Sequence, residues 1–169
     1  MSRCNRLTAI EPAHPLRALL ARKLERRPGT PAAIAAGPAS VEITPGFFDS
    51  LPVPDRAAEL VIACSALTPD PAQGGEPGLA EMERACAPPG LVVILWPNQP
   101  DWLTARGYRY LSFPGEMAME FASIEEAVEL SRVFYPDAVD EVVRRGDRRV
   151  PYGILGVNPP RDLAYRTVR

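Results

Sequence analysis

The chain has 169 residues, 46% hydrophobic and 24% charged, with a formal net charge of −2, which excludes a disordered chain and any global attraction to nucleic acid or anionic membranes. Its length suits one domain, residues 1–169, large enough to bury its own core. The longest purely apolar run, Leu91–Trp96, is far too short to span a bilayer, so no membrane partner is expected. Cys4, Cys64 and Cys86 are odd in number and lack metal spacing, and Met1–Arg6 carries no apolar secretory core. A cytoplasmic location is therefore expected. The 20 prolines, and an arginine-rich composition with Lys23 as its single lysine, are read as coding bias.

In chain order, Arg6–Ile10 reads as a short strand with Glu11 and Pro12 at its tip. A helix follows, with Leu16, Leu19, Leu20 and Leu24 on one face. Ser40–Thr44 is a second strand, closed by Pro45 and Gly46. Leu60–Cys64 is a continuous apolar run, the pattern of a strand covered on both faces. The glycines Gly74, Gly75 and Gly78 precede a helix but lack the Lys-Ser/Thr pair of a phosphate cradle, so a flexible connector is expected. Leu79, Met82 and Cys86 mark that helix, with Pro77 in its first turn. Pro88, Pro89 and Gly90 turn the chain into Leu91–Trp96, the strongest strand pattern present.

Further on, Ser123 and Glu126 form a capping box for a helix whose stripe includes Ile124, Ala127, Val128, Phe134, Val139, Val142 and Val143. Pro136 should split that helix and Gly146 should end it. Tyr152–Val157 and Leu163–Val168 read as a closing antiparallel pair around Asn158, Pro159 and Pro160. The alternation predicts an α/β fold: a mostly parallel sheet with helices on both faces and an antiparallel C-terminal strand.

Four segments, in this order, resemble class I S-adenosylmethionine-dependent methyltransferases of the small-molecule type. They are Ala9-Ile10-Glu11-Pro12, then Gly46 to Pro52 with Pro54-Asp55, then Ala58 to Val61 running on to Ser65-Ala66-Leu67, and finally Leu79 to Met82 with Arg84 and Pro88-Pro89-Gly90. The resemblance implies a Rossmann-like sheet, S-adenosylmethionine as cofactor and a small-molecule methyl acceptor. It implies cofactor contacts from Glu11 and Pro12 (ribose), from Phe47, Phe48 and Asp49, and from Ser65 and Leu67. Acceptor contacts are expected from the aromatic and methionine-rich stretch after the fifth family strand, at Trp102, Tyr108, Tyr110 and Met117. Methyl transfer needs alignment more than side-chain chemistry, so no catalytic residue is assigned.

The chain departs from that family where its first strand and glycine-rich turn should stand, because no glycine precedes Gly29. Either translation starts upstream or the chain is a degenerate copy, and its activity is in doubt on either account. In the family's strand order (three, two, one, four, five, seven, six) the absent strand is central. The expectation is that Leu7–Ile10 and Leu60–Cys64 pair directly, with a second chain in a homodimer as the other outcome. A non-catalytic binding or dimerisation module is the alternative function.

Other features have simpler readings. His14 is expected in water at a helix start, and Arg145-Gly146-Asp147 in a helix-ending turn. The basic runs Arg17, Arg22, Lys23, Arg26, Arg27 and Arg144, Arg145, Arg148, Arg149 suit solvated faces rather than a nucleic-acid footprint. No metal site is expected.

Overall fold

The computed structural model describes residues 4–25 and 40–169. The strands are β1 (Arg6–Ile10), β2 (Ser40–Thr44), β3 (Ala58–Cys64), β4 (Cys86–Leu95), β5 (Arg109–Ser112), β6 (Ala118–Glu120), β7 (Arg149–Pro151) and β8 (Asp162–Val168). The α-helices are α1 (His14–Glu25), α2 (Gly75–Ala85), α3 (Pro100–Thr104), α4 (Ile124–Phe134) and α5 (Val139–Arg145). The elements alternate as predicted, and the fold is α/β.

The larger sheet has four strands in the order β3-β4-β8-β5. β3 runs parallel to β4, with Leu60 beside Leu91 and Cys64 beside Leu95. β8 lies antiparallel between β4 and β5, pairing Leu95 with Leu163 and Leu111 with Leu163. A separate parallel pair, β1 and β2, sets Arg6 against Ser40 and Ile10 against Thr44. A small antiparallel ribbon, β6 with β7, completes the strands.

The main core fills one face of the four-stranded sheet. Val92, Ile94 and Ala164 pack there against Leu79 and Met82 of α2, Leu103 of α3, and Leu67 and Tyr108 from loops. A second core joins α4 and α5 to the ribbon through Phe121, Ala127, Ala138, Val142, Val150 and Leu155. Burial of such side chains supplies about 1.5–3 kcal/mol each relative to exposure.

Helix boundaries follow their sequence signals. Ser123 Oγ accepts the Glu126 amide at 3.1 Å, and Glu126 returns a carboxylate to the Ala122 amide. Ser123→Ala should therefore cost about 1 kcal/mol, read as a lowered urea midpoint. Pro136 opens a 3-10 turn that separates α4 from α5. Gly146 ends α5 in the left-handed region, at φ 61°. His14 is exposed at the start of α1.

Several expectations are corrected. Tyr152–Val157 is a series of turns, and the strand antiparallel to β8 at the sheet edge is β5. Gly153 and Gly156 (φ 68°) interrupt the former run, whereas Arg109–Ser112 is too short for its alternation to stand out. Gly74 and Gly78 are packed rather than flexible: a side chain at either would meet Leu67 Cδ1 and Phe48. Leu60–Cys64 is covered on one face only, since Leu60 and Ile62 are 51% and 53% exposed while Val61 and Ala63 face the core. The direct pairing of Leu7–Ile10 with Leu60–Cys64 does not form; β1 bonds only β2, and β3 only β4, among the described residues. Arg26, Arg27 and the segment 32–36, a conceivable substitute strand, lie outside the described residues.

Candidate functional site

In an open parallel sheet, ligands bind beyond the carboxyl ends of the strands, at the point where the strand order reverses. Here β1 runs parallel to β2 in one pair and β3 parallel to β4 in the larger sheet, so the carboxyl tips of β1 and β3 are the candidate ligand positions. A chain of close contacts sets both tips at the same end: Gly46 lies against Ile10 and Pro52, and Phe48 lies against Gly74 and Gly78 beside Leu67, just past β3.

Glu11 closes the β1 tip. Its Oε1 accepts the Ala13 amide at 2.8 Å, and its amide donates to Thr44 O at 3.1 Å. Arg17 Nη1 donates to the carbonyls of Glu11 (2.7 Å) and Pro12 (2.6 Å). Glu11 thus holds the turn into α1 with one oxygen, and Oε2 has no protein donor among the described residues. Pro12 is exposed beside it.

Phe47 is 65% exposed, and Asp49 is exposed two residues later. Phe48 instead packs against the main core, and Leu67 is 2% exposed within it. Those two side chains support the rim from below. Ser65 is exposed at the β3 tip with φ 48°, and Trp96 follows the β4 tip with φ 52°. Left-handed backbone at two non-glycine residues costs energy and clusters at functional sites. It turns the chain sharply at both tips while Ser65 N donates to Leu95 O (2.9 Å) and Trp96 N to Asp162 O (2.9 Å).

The four expected acceptor residues do not converge. Tyr108 is 3% exposed in the main core, before the amino end of β5, and its hydroxyl donates to Glu83 Oε1 at 3.1 Å. It lies at the end of the sheet opposite the tips, because β5 runs parallel to β4. Trp102 is half-buried on α3; its Nε1 donates to Glu76 at 3.1 Å, and Arg106 lies 4.9 Å over its ring. Tyr110 is partly exposed and donates its hydroxyl to Asp162 Oδ2 at 2.9 Å, and that bond, with burial, raises its pKa. Met117 alone lines a cleft, of about 590 Å³, with Tyr152, Ile154, Glu116, Arg145 and Arg161.

Asp162 was not legible as a site residue in the sequence. It starts β8 at the tip end, and its Oδ1 is buried without a hydrogen-bond partner among the described residues. A buried carboxylate oxygen left unpaired invites a donor. Among the described residues, no His, Cys, Asp and Glu group is arranged to hold a metal ion, and no helix is long and apolar enough to cross a membrane.

Comparison with solved structures places this architecture. A candidate methyltransferase from Bacillus halodurans superposes with a TM-score of 0.50 at 13% identity, covering 95% of this chain and 81% of that one. A candidate methyltransferase of an antibiotic biosynthesis pathway from Anabaena variabilis gives a TM-score of 0.49 at 13% identity, covering 99% and 92%. A SAM-dependent methyltransferase from Methanosarcina mazei gives 0.44 at 16% identity, and this chain spans only 49% of its length. No protein-family model matches the chain, and no curated protein does. The chain has the Rossmann-like methyltransferase fold.

Proposed function

We propose that this chain is an S-adenosylmethionine-dependent methyltransferase for a small-molecule acceptor, with a cofactor site that is incomplete among the described residues. One observation carries this reading. The order β3-β4-β8-β5 with β8 reversed, together with a separate parallel β1-β2 pair, agrees with the family's strand order.

The residues present fit the cofactor only in part. Oε2 of Glu11, at the end of β1, suits ribose hydroxyls, while Phe47, Asp49 and Ser65 supply an apolar wall and polar groups for a base. The methionine half needs close backbone approach and converging amides, as a glycine turn at a helix start provides. Among the described residues no such turn stands between β1 and β3, so no reaction step is derived through the cofactor. The methyl donor chemistry would be the sulfonium's own. A cytoplasmic setting agrees with the unpaired Cys4, Cys64 and Cys86.

The expected result is that titration calorimetry of the 169-residue protein with S-adenosylmethionine gives no measurable heat. Tight binding abolished by Glu11→Ala would overturn the claim that the site is incomplete. The alternative, a non-catalytic binding or dimerisation module, is favoured by the exposed Leu60 and Ile62 on a strand that ends its sheet among the described residues.

A further inference from the structure

We infer that the cleft holding Met117 binds the oxyanion, carboxylate or phosphate, of a small organic molecule through Arg145 and Arg161. That this molecule is the methyl acceptor rests on the proposed function; the oxyanion site itself does not.

Four arginines, Arg144, Arg145, Arg148 and Arg149, follow closely in the chain, and two of them are engaged. Arg144 donates to Glu141 at 2.8 Å, while Arg148 meets Glu120 at 2.6 Å and donates to Phe121 O at 3.2 Å. Glu141 lines the cleft one turn before Arg145, but Arg144 already neutralises it. Arg145 therefore has no acceptor among the described residues, and neither has the Arg161 guanidinium on the same cleft. A guanidinium keeps its charge at neutral pH and presents a planar fork of donors. Two of them lining one cleft select an anion, and the fork matches carboxylate or phosphate oxygens.

The rest of the lining suits an organic body attached to that anion. The Tyr152 hydroxyl and the Asn158 amide, without partners among the described residues, add neutral donors. Met117, Ile154 and Val157 supply an apolar wall. A volume of about 590 Å³ is that of a small-molecule site, larger than a bare ion needs. Glu116 is the one carboxylate of the lining left unpaired among the described residues, so the balance stays positive.

Backbone bonds hold these walls in place. Tyr152 N donates to Met117 O at 3.1 Å and Val157 N to Tyr152 O at 3.2 Å, with Leu155 between them buried in the second core. Phe113 N donates to Arg161 O at 2.6 Å, which ties the end of β5 to the start of β8. Arg161 directly precedes Asp162, whose carbonyl accepts from Trp96 N just past the β4 tip. An oxyanion on Arg161 thus lies at the same end of the larger sheet as Ser65.

The test titrates benzoate, phenyl phosphate and neutral benzamide into the isotope-labelled 169-residue protein, without S-adenosylmethionine, and follows its amide resonances. Saturable shifts at Met117, Tyr152 and Val157 are expected with either acid and none with benzamide; the tighter of the two acids tells carboxylate from phosphate. Arg145→Gln and Arg161→Gln should each weaken binding about tenfold or more, since each removes a charge-assisted bond. Glu116→Gln removes the opposing carboxylate and should tighten it. Arg149→Gln removes an exposed arginine of the same run that does not line the cleft, and should leave binding unchanged. No shift with either acid, equal binding of benzamide, or equal weakening by Arg149→Gln would overturn the inference and leave the methyltransferase reading untouched. A bound acid with nuclear Overhauser contacts to Tyr152 but none to Trp96 would instead keep the oxyanion site and remove it from the methyl-transfer reading.

Discussion

Gly90→Val is expected to be the most damaging single substitution in the larger sheet. Gly90 is buried at the base of β4, where Val168 of β8 pairs with it. A Cβ there would stand 2.8 Å from Glu59 O and 2.7 Å from Cys86 Sγ, and would also meet Ala87 O. Two of these are backbone oxygens, one on the neighbouring strand, so relief requires β3 and β4 to spread at their base. Overpacking that moves backbone costs about 3 kcal/mol or more, a large share of a domain's stability. Urea unfolding should show a clearly lowered midpoint for Gly90→Val and a smaller loss for Gly90→Ala. A variant as stable as the parent would mean that the base of the sheet is loosely packed.

Tyr108→Ala should have the next largest effect. The ring joins Leu103, Met82 and Ile94 in the main core, and its hydroxyl meets Glu83, which also accepts from Arg166 Nη1 at 2.9 Å. Deleting a buried aromatic ring costs about 3–5 kcal/mol through lost contacts and the cavity left behind. Tyr108→Phe keeps the ring and leaves Glu83 its arginine, so its loss should be about 1 kcal/mol. The pH dependence gives a second readout. Burial, and then the neighbouring Glu83 charge, push the Tyr108 phenol above its ordinary value. A raised folded pKa contributes stability that is fully present below the unfolded value, about 10, and is lost as the pH rises beyond it. The parent should therefore lose stability above about pH 10 more steeply than Tyr108→Phe, measured by urea midpoints across that range. Parallel curves would show that the phenol is not held by its surroundings.

Local signals carried much of the fold. Ser123 with Glu126, Pro136 and Gly146 each act within one turn of helix, so their effect needs no distant partner, and helix boundaries appeared where they predict. Arg6–Ile10, Ser40–Thr44 and the apolar run before Cys64 declared themselves as strands by composition. The same run could not declare its neighbours. Leu60–Cys64 has the pattern of a strand covered on both faces, but covering depends on what packs there, and the described structure leaves Leu60 and Ile62 bare. Glu11 was legible as the residue ending the first strand, because an acid before Pro12 marks a turn; that its Oε1 goes to Ala13 is a matter of rotamer and turn geometry.

What the sequence by itself determined is therefore the alternation of strands and helices and the helix stops, while Glu11 and Ser65 as ligand contacts rest on the resemblance. Only the tertiary structure decided the rest. It sent Tyr108 to the core and Met117 to the cleft, although both lie in one aromatic stretch, because β5 carries the chain from one end of the sheet toward the other between them. It paired β8 with β5 instead of with Tyr152–Val157, since hydrogen-bond partners are chosen in space and two glycines made the nearer segment a turn. Among the described residues it also left β3 at the edge of the larger sheet and β1 paired only with β2. Apolar composition makes a run a strand, but the partner of a strand is set by which other edges reach it.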